Sequence, residues 1–184
     1  MDILNSFRKA CFTGYRPDKF DFELNKRNKR YKLLLSRLEE TVTSLIKNGC
    51  SVFYCGMAVG FDIIAAECVL KLKHKYKNLR LVCAIPYLGH EVSIKGEWLS
   101  RYNAVLNKAD EIVYISSEYQ PSCFQMRNRY MVDASECVIT WFDGKSGGTQ
   151  NTIKYAQKQG VYIINLNTDY ELPLNKLQQD MSLF

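Results

Sequence analysis

The feature that most constrains this chain is a series of short, almost uninterrupted apolar runs spaced by helical patterns. The runs are "KACFTG", "SVFYC", "LRLVCAIP", "EIVYIS", "ECVITWF" and "VYIINL". A strand with one face in water alternates apolar and polar residues. A strand without a polar face must be covered on both sides. Between the runs the apolar spacing changes to three and four. Over residues 24–48, Tyr31, Leu34, Leu35, Leu38, Val42, Leu45 and Ile46 recur at helical spacing, and Gly49 supplies a stop. "FDIIAAECVLKL", residues 99–107, "SCFQMRNRYMVDAS" and "TQNTIKYAQKQG" read as further helices, the last ending at Gly160. Strand and helix in alternation imply an α/β fold, with an open, mostly parallel sheet of about six or seven strands and helices on both faces.

A length of 184 residues suits a single domain over residues 1–184, with about 169–184 as a loose peripheral segment. Composition narrows the class of partner. The net charge of +6 comes largely from "NKRNKRYK" and "KLKHKYK", which are outer parts of helices and read as solvated faces. Phosphate-bearing ligands tolerate that charge, but it does not call for nucleic acid, and no nucleic-acid partner is expected. The seven cysteines form no C-x-x-C pair and lie mostly in apolar patterns, as expected of small hydrophobes in a reducing cytoplasm. The two histidines, His74 and His90, lack metal-ligand spacing, so no metal is expected. No h-region of a signal peptide is seen, and no window reaches the roughly 18 apolar residues of a membrane span.

In a parallel α/β sheet, ligands bind outside the carboxyl ends of the strands. The segments that matter are therefore "TGYR" after the first run, "GMAVGFD" after the second, "PYLGHE" after the third and "DGKSGGTQNT" after the fifth. Glycine lets a backbone approach a ligand, and the first N–H groups of a helix form an anion site. Two familiar phosphate motifs are absent. "GMAVG" is not G-x-G-x-x-G. "GKS" does not end a P-loop, because Ile139 stands five residues before Gly144. Asp62 either caps its helix or accepts from ribose hydroxyls. Arg16 and Arg127 are candidates for charge-assisted bonds to phosphate. Tyr15, Tyr87 and Tyr102 either stack on a base or pack.

Taken together, "TGYR", "CGMAVGFDIIAAE", "CAIPYLGHE", "RYNAVLNKADEIV", "QMRNRYMVDASECVITWFDG" and "GGTQNTIKYAQKQG" resemble the YpsA-like family of the SLOG superfamily, over about residues 11–166. Relatives in that superfamily include DprA/SMF, which protects single-stranded DNA, and the LOG phosphoribohydrolases. The resemblance implies a Rossmann-like fold and a pocket for a nucleotide-derived small molecule of ADP-ribose or NAD type, in a sensing, signalling or sequestration role. Carried onto this sequence, it implies a site made of Thr13, Gly14, Arg16, Gly56, Met57, Gly60, Asp62, Arg127, Asn128, Gly147, Gly148 and Thr149.

One departure bears on activity. LOG hydrolases carry a glutamate three residues after their glycine–threonine loop. Here Thr152 stands there, with Asn151 before it, and Asn128 replaces the lysine that follows the arginine. A glycosidic bond cleaves through an oxocarbenium-like state that a carboxylate assists. No catalytic residue is therefore assigned. N-glycosidic hydrolysis, with Asp62, Glu67 or Asp133 as acid or base, remains the alternative, and single-stranded nucleic-acid binding a third. No cofactor and no membrane partner are expected, and a homo-oligomer is.

Overall fold

The computed structural model describes residues 7–172. Six strands, β1 (Lys9–Gly14), β2 (Val52–Cys55), β3 (Arg80–Ile85), β4 (Glu111–Tyr114), β5 (Cys137–Trp141) and β6 (Tyr162–Asn165), form one sheet. Five helices alternate with them: α1 (Lys29–Lys47), α2 (Phe61–Lys73), α3 (Glu97–Leu106), α4 (Cys123–Asp133) and α5 (Gly148–Gln159). The order across the sheet is β4-β3-β2-β1-β5-β6, and every pairing is parallel. The expectation of a mostly parallel sheet is thus met by a wholly parallel one.

Strands β1 to β4 step one way across the sheet, and the chain then returns to place β5 on the far side of β1. With right-handed crossovers, α1, α2 and α3 lie on one face and α4 and α5 on the other. The alternation of β2 agrees. The Cys55 thiol donates to the Asp62 carbonyl of α2, while the Tyr54 ring packs on Tyr130 of α4, with centroids 6.2 Å apart. The same order fixes where the topology reverses, between β1 and β5. That is where an open α/β sheet leaves a crevice at its carboxyl edge.

Helix α2 is unusual in burying residues all round. Phe61, Ile63, Ile64, Ala65, Ala66, Val69 and Leu72 are all buried, because the helix is wedged between the sheet and its neighbours α1 and α3. Helix α1 instead shows one apolar stripe: Tyr31, Leu34, Leu38, Val42 and Leu45 are buried. It starts at Lys29 rather than at residue 24, because the Asn28 side chain accepts from the Arg30 and Tyr31 N–H groups and caps it there. All seven cysteines are free, and burial pushes the Cys11 and Cys50 thiols up to about 12.

The apolar run "EIVYIS" predicts a strand covered on both sides, yet β4 is an edge strand whose Ile112 and Tyr114 are exposed. An apolar run does not reveal whether its second neighbour exists. Of the C-terminal segment expected to be loose, residues 169–172 are described. There Tyr170 packs edge-on against Phe142, with centroids 5.4 Å apart, and its carbonyl accepts from Asn165 Nδ2. The rest of that segment lies outside the described residues.

The turn from β2 into α2 rests on Gly60. Its φ of 103° is one that side chains rarely adopt, and a Cβ there would collide with the Tyr15 carbonyl and stand 3.0 Å from Arg16 Cα. The Phe61 N–H donates to that same Tyr15 carbonyl at 3.0 Å, which fastens the loop after β1 to the start of α2. Gly60→Ala is expected to lower the free energy of unfolding by about 2 kcal/mol in urea titration. Gly148→Ala, where an added Cβ meets nothing within 4 Å, is expected to change it by less than about 0.5 kcal/mol.

Candidate functional site

Because all six strands run the same way, the loops after β1, β2, β3 and β5 meet at one edge. Thr13 and Gly14 end β1, and Arg16 follows at the exposed rim. Gly56, Met57 and Gly60 form the β2–α2 turn, and Asp62 lies in the first turn of α2. Arg127 and Asn128 sit on α4, and Gly147, Gly148 and Thr149 open α5. The Thr149 hydroxyl donates to the Gly14 carbonyl at 2.9 Å, which draws the α5 start against the end of β1.

Arg127 is the centre of this edge. It is buried, its Nη1 donates to the Gly56 carbonyl, and its Nε donates to Asn128 Oδ1 at 2.7 Å. Asn128 Nδ2 donates onward to the Thr152 hydroxyl at 2.9 Å, which donates to the Gly148 carbonyl at 2.9 Å. This chain ties the β2 turn to the start of α5 through α4. It also accounts for Gly56, where a Cβ would stand 2.5 Å from the guanidinium. Burial lowers the Arg127 pKa, while Asp62 and Cys55 act in the opposite direction.

Asp62 is the opposing charge. Its carboxylate is buried and accepts one long bond, from the Ala58 N–H at 3.4 Å. Among the described residues no ion pair joins Asp62 to a cation, although Arg127 and Arg16 both act on it through space. Burial pushes the carboxyl up to about 6, against the pull of Arg127, the Ala58 N–H and Arg16. A buried carboxylate and a buried guanidinium therefore lie at this edge with hydrogen-bonding capacity to spare. The bond from Ala58 shows that Asp62 serves the β2–α2 turn as well.

The opposite wall is clamped. The Tyr15 hydroxyl donates to Asp143 Oδ1 at 2.5 Å and accepts from the Asp143 and Lys145 N–H groups, each at 3.2 Å. Lys19 Nζ donates to the Ser146 carbonyl at 2.7 Å, beside Gly147. Helix α5 has glycine at its N-cap and no capping side chain. Its first N–H groups, with Lys19 beside them, make an anion-favouring rim, and Arg16 stands exposed by Gly60 on the same sheet edge. A groove of about 590 Å³ lies between α4 and α5. It shares Asn128 and Thr152 with the site and adds Arg129, Lys154 and Lys158.

Some sequence candidates change role. Tyr15 and Tyr102 are buried and pack rather than stack on a base, while Tyr87 is half-buried. Glu67 is held bidentate by Arg101 at 2.7 and 2.6 Å, and Asp133 accepts from the Tyr155 hydroxyl at 2.8 Å. His90, discounted for metal spacing, was missed as a neighbour of the site. It is buried among Tyr87, Tyr102 and Phe124, and its Nδ1 has no partner. Burial, then Arg127 and Arg16, lower it to about 4, so the ring is neutral at ordinary pH. Its place in the loop after the third run was the available signal. Among the described residues no cluster of His, Cys, Asp and Glu is arranged to hold a metal, and no helix is long and apolar enough to cross a membrane.

These features define a Rossmann-like α/β protein with buried charged residues gathered near its topological switch point. The family model described as the YspA SLOG family matches residues 10–172, and the chain belongs to this YpsA family of SLOG proteins. It is 31% identical over 156 residues to the SPbeta prophage-derived protein YoqJ of Bacillus subtilis, covering 77% of this chain and 90% of the relative. It is 26% identical over 177 residues to the UPF0398 protein BH1768 of Halalkalibacterium halodurans, covering 92% and 93%. Among solved structures, DNA processing protein A of Helicobacter pylori, described for its single-stranded DNA binding mode, superposes with a TM-score of 0.55 at 24% identity, over 89% of this chain and 67% of that one. DprA of Streptococcus pneumoniae gives 0.57 at 18% identity, over 87% of this chain and half of that one. At these identities the two structures share the fold.

The Asp62 pKa sets a pH dependence. Raised from an ordinary 3.8 to about 6, this carboxyl favours folding fully below about pH 4, and the benefit is lost as pH rises through about 6. The shift is linked to about 3 kcal/mol. Urea unfolding of the wild type is expected to show that loss between pH 4 and 6.5, and Asp62→Asn to remove this part of the slope.

Proposed function

We propose that the crevice at the β1/β5 switch binds a nucleotide-derived, phosphate-bearing small molecule, with ADP-ribose- or NAD-like compounds the leading class. The observation that carries this reading is the buried Asp62 and Arg127, both charged groups at the carboxyl edge without an ion pair between them, together with an uncapped α5 start. The anion-favouring rim of Arg16, Lys19 and the Gly147–Gly148–Thr149 backbone takes phosphate. Arg127 adds charge from below, and Asp62 accepts from sugar hydroxyls. Thr13, Gly14, Gly56, Met57, Gly60 and Asn128 shape the walls. The outcome is sensing, signalling or sequestration by binding alone, and the free thiols agree with a reducing compartment such as the cytoplasm.

Two further readings each have an observation behind them. With Glu67 and Asp133 occupied elsewhere, Asp62 is the carboxyl left for N-glycosidic hydrolysis, and its raised pKa suits an acid or base. Single-stranded nucleic acid enters against the sequence-based expectation. The α4/α5 groove carries Arg129, Lys154 and Lys158, and a neighbour of the same fold was described for its single-stranded DNA binding mode.

One panel separates the three readings. A bound nucleotide at about 100 times its Kd is expected to stabilise the protein by about 2.7 kcal/mol, read as a rise in melting temperature, with no new product by chromatography. Arg127→Met and Arg16→Ala are each expected to weaken that binding at least about tenfold. Released base would establish the hydrolase instead. Affinity for a single-stranded oligonucleotide that falls with salt at a log–log slope of about −2, as three released cations require, would establish the nucleic-acid reading.

A further inference from the structure

The loop after β3, with "PYLGHE", lies at the carboxyl edge, yet the proposed site takes no residue from it. The rings there form one cluster. Tyr87 lies 5.3 Å from His90, 5.4 Å from Tyr119 and 6.2 Å from Phe124, centroid to centroid, and each pair meets edge to face. His90 and Phe124 are 5.9 Å apart, and Tyr119 and Phe124 6.5 Å. Tyr119 belongs to the segment between β4 and α4, and Phe124 to the first turn of α4. The Leu88 N–H donates to the Ser116 carbonyl at 3.1 Å, which fastens the two loops together.

The cluster runs from the buried charges of the edge out to solvent. At its inner end His90 is buried, and Arg127 and Arg16 both act on it through space. Phe124 stands three residues before Arg127 on α4, so the two are neighbours on that helix. At its outer end the Tyr119 ring is 61% exposed, and Leu88 and Val92 of the loop after β3 are exposed as well. Rings gathered only to fill a core are covered. An exposed ring braced edge-on by two others is a rigid apolar surface left open.

Charge differs along the edge. Lys19 and the uncapped start of α5 lie at the β5 end, which favours phosphate. At the β3 end Glu91 acts on His90, and Glu118 precedes Tyr119, so phosphate is repelled and an uncharged ring is not. Strands β1 and β2 separate β5 from β3. At about 4.8 Å per strand the two ends stand about 14 Å apart, which matches an extended nucleoside diphosphate in length.

Resting on the nucleotide-binding function proposed above, we infer that the Tyr87–Tyr119–Phe124 cluster is the base subsite. The nucleobase stacks on the exposed Tyr119 ring, which Tyr87 and Phe124 brace, and the phosphates extend toward α5. Every base has a π-face, so the platform holds the ring without reading its edge.

Isothermal titration with ADP and, separately, with ribose 5-phosphate, which keeps sugar and phosphate but has no base, tests this. Tyr119→Leu keeps an apolar side chain and removes the ring. It is expected to weaken ADP binding at least about tenfold and to leave ribose 5-phosphate within about twofold. Tyr119→Phe is expected to restore most of the ADP affinity, and Arg16→Ala to weaken both probes. If ribose 5-phosphate is too weak to register, the loss of ADP with Tyr119→Leu and its recovery with Tyr119→Phe decide the matter. Circular dichroism confirms that each variant is folded. Unchanged ADP binding by Tyr119→Leu, or equal loss of both probes, overturns the base subsite and leaves nucleotide binding in place. A wild type that binds neither probe overturns both.

Discussion

The arrangement of the carboxyl edge depends on one buried cation. Taking a guanidinium out of water is costly unless its donors are met. Arg127 meets the requirement with the Gly56 carbonyl and the Asn128 side chain. Those two bonds dictate much else. Glycine at position 56 leaves room for this placement, because a Cβ there would displace the guanidinium. The turn that follows must come round fast enough to return Asp62 to the same edge, which Gly60 permits. Asn128 must find its own acceptor, and finds it on α5. The glycines therefore serve contacts within the protein first. What remains for a ligand is what the protein leaves unmatched, namely the Asp62 carboxylate and the uncapped start of α5.

The sheet was legible because its signal is local. Apolar runs without a polar face, helical spacing between them and a glycine at Gly160 each reflect short-range physics, and β1 and α5 appear where those patterns place them. The parallel direction followed from the alternation, and that direction brings the loops "TGYR", "GMAVGFD" and "GGT" to one edge. Properties set by distant neighbours were not legible. No sequence pattern says that Tyr15 spends its hydroxyl on Asp143, that Glu67 is taken by Arg101, or that β4 has a neighbour on one side alone. His90 shows the same limit. Its chemistry comes from burial beside two arginines on other elements, and spacing along the chain carries none of that.

The two charged features of the edge differ in kind. Arg16 is exposed and makes no side-chain hydrogen bond among the described residues, so it is free to meet an anion at little cost in lost contacts. Asp62 and Arg127 are buried, Arg127 held by two bonds and Asp62 by one long one, so in the proposed site they would select rather than attract. Under the proposed nucleotide-binding function, the outer cation would draw phosphate in and the inner charges would read what is attached to it, dividing recognition between encounter and discrimination.

The bonds from Arg127 through Asn128 and Thr152 to the Gly148 carbonyl all point one way. The first donor is a guanidinium that keeps its proton at ordinary pH, and the last acceptor is a peptide oxygen that cannot take one. Such a chain conducts no protons. It acts as a strut that ties the position of Arg127, through α4, to the start of α5. With a hydroxyl at Thr152, an occupant of the proposed site would be registered by position.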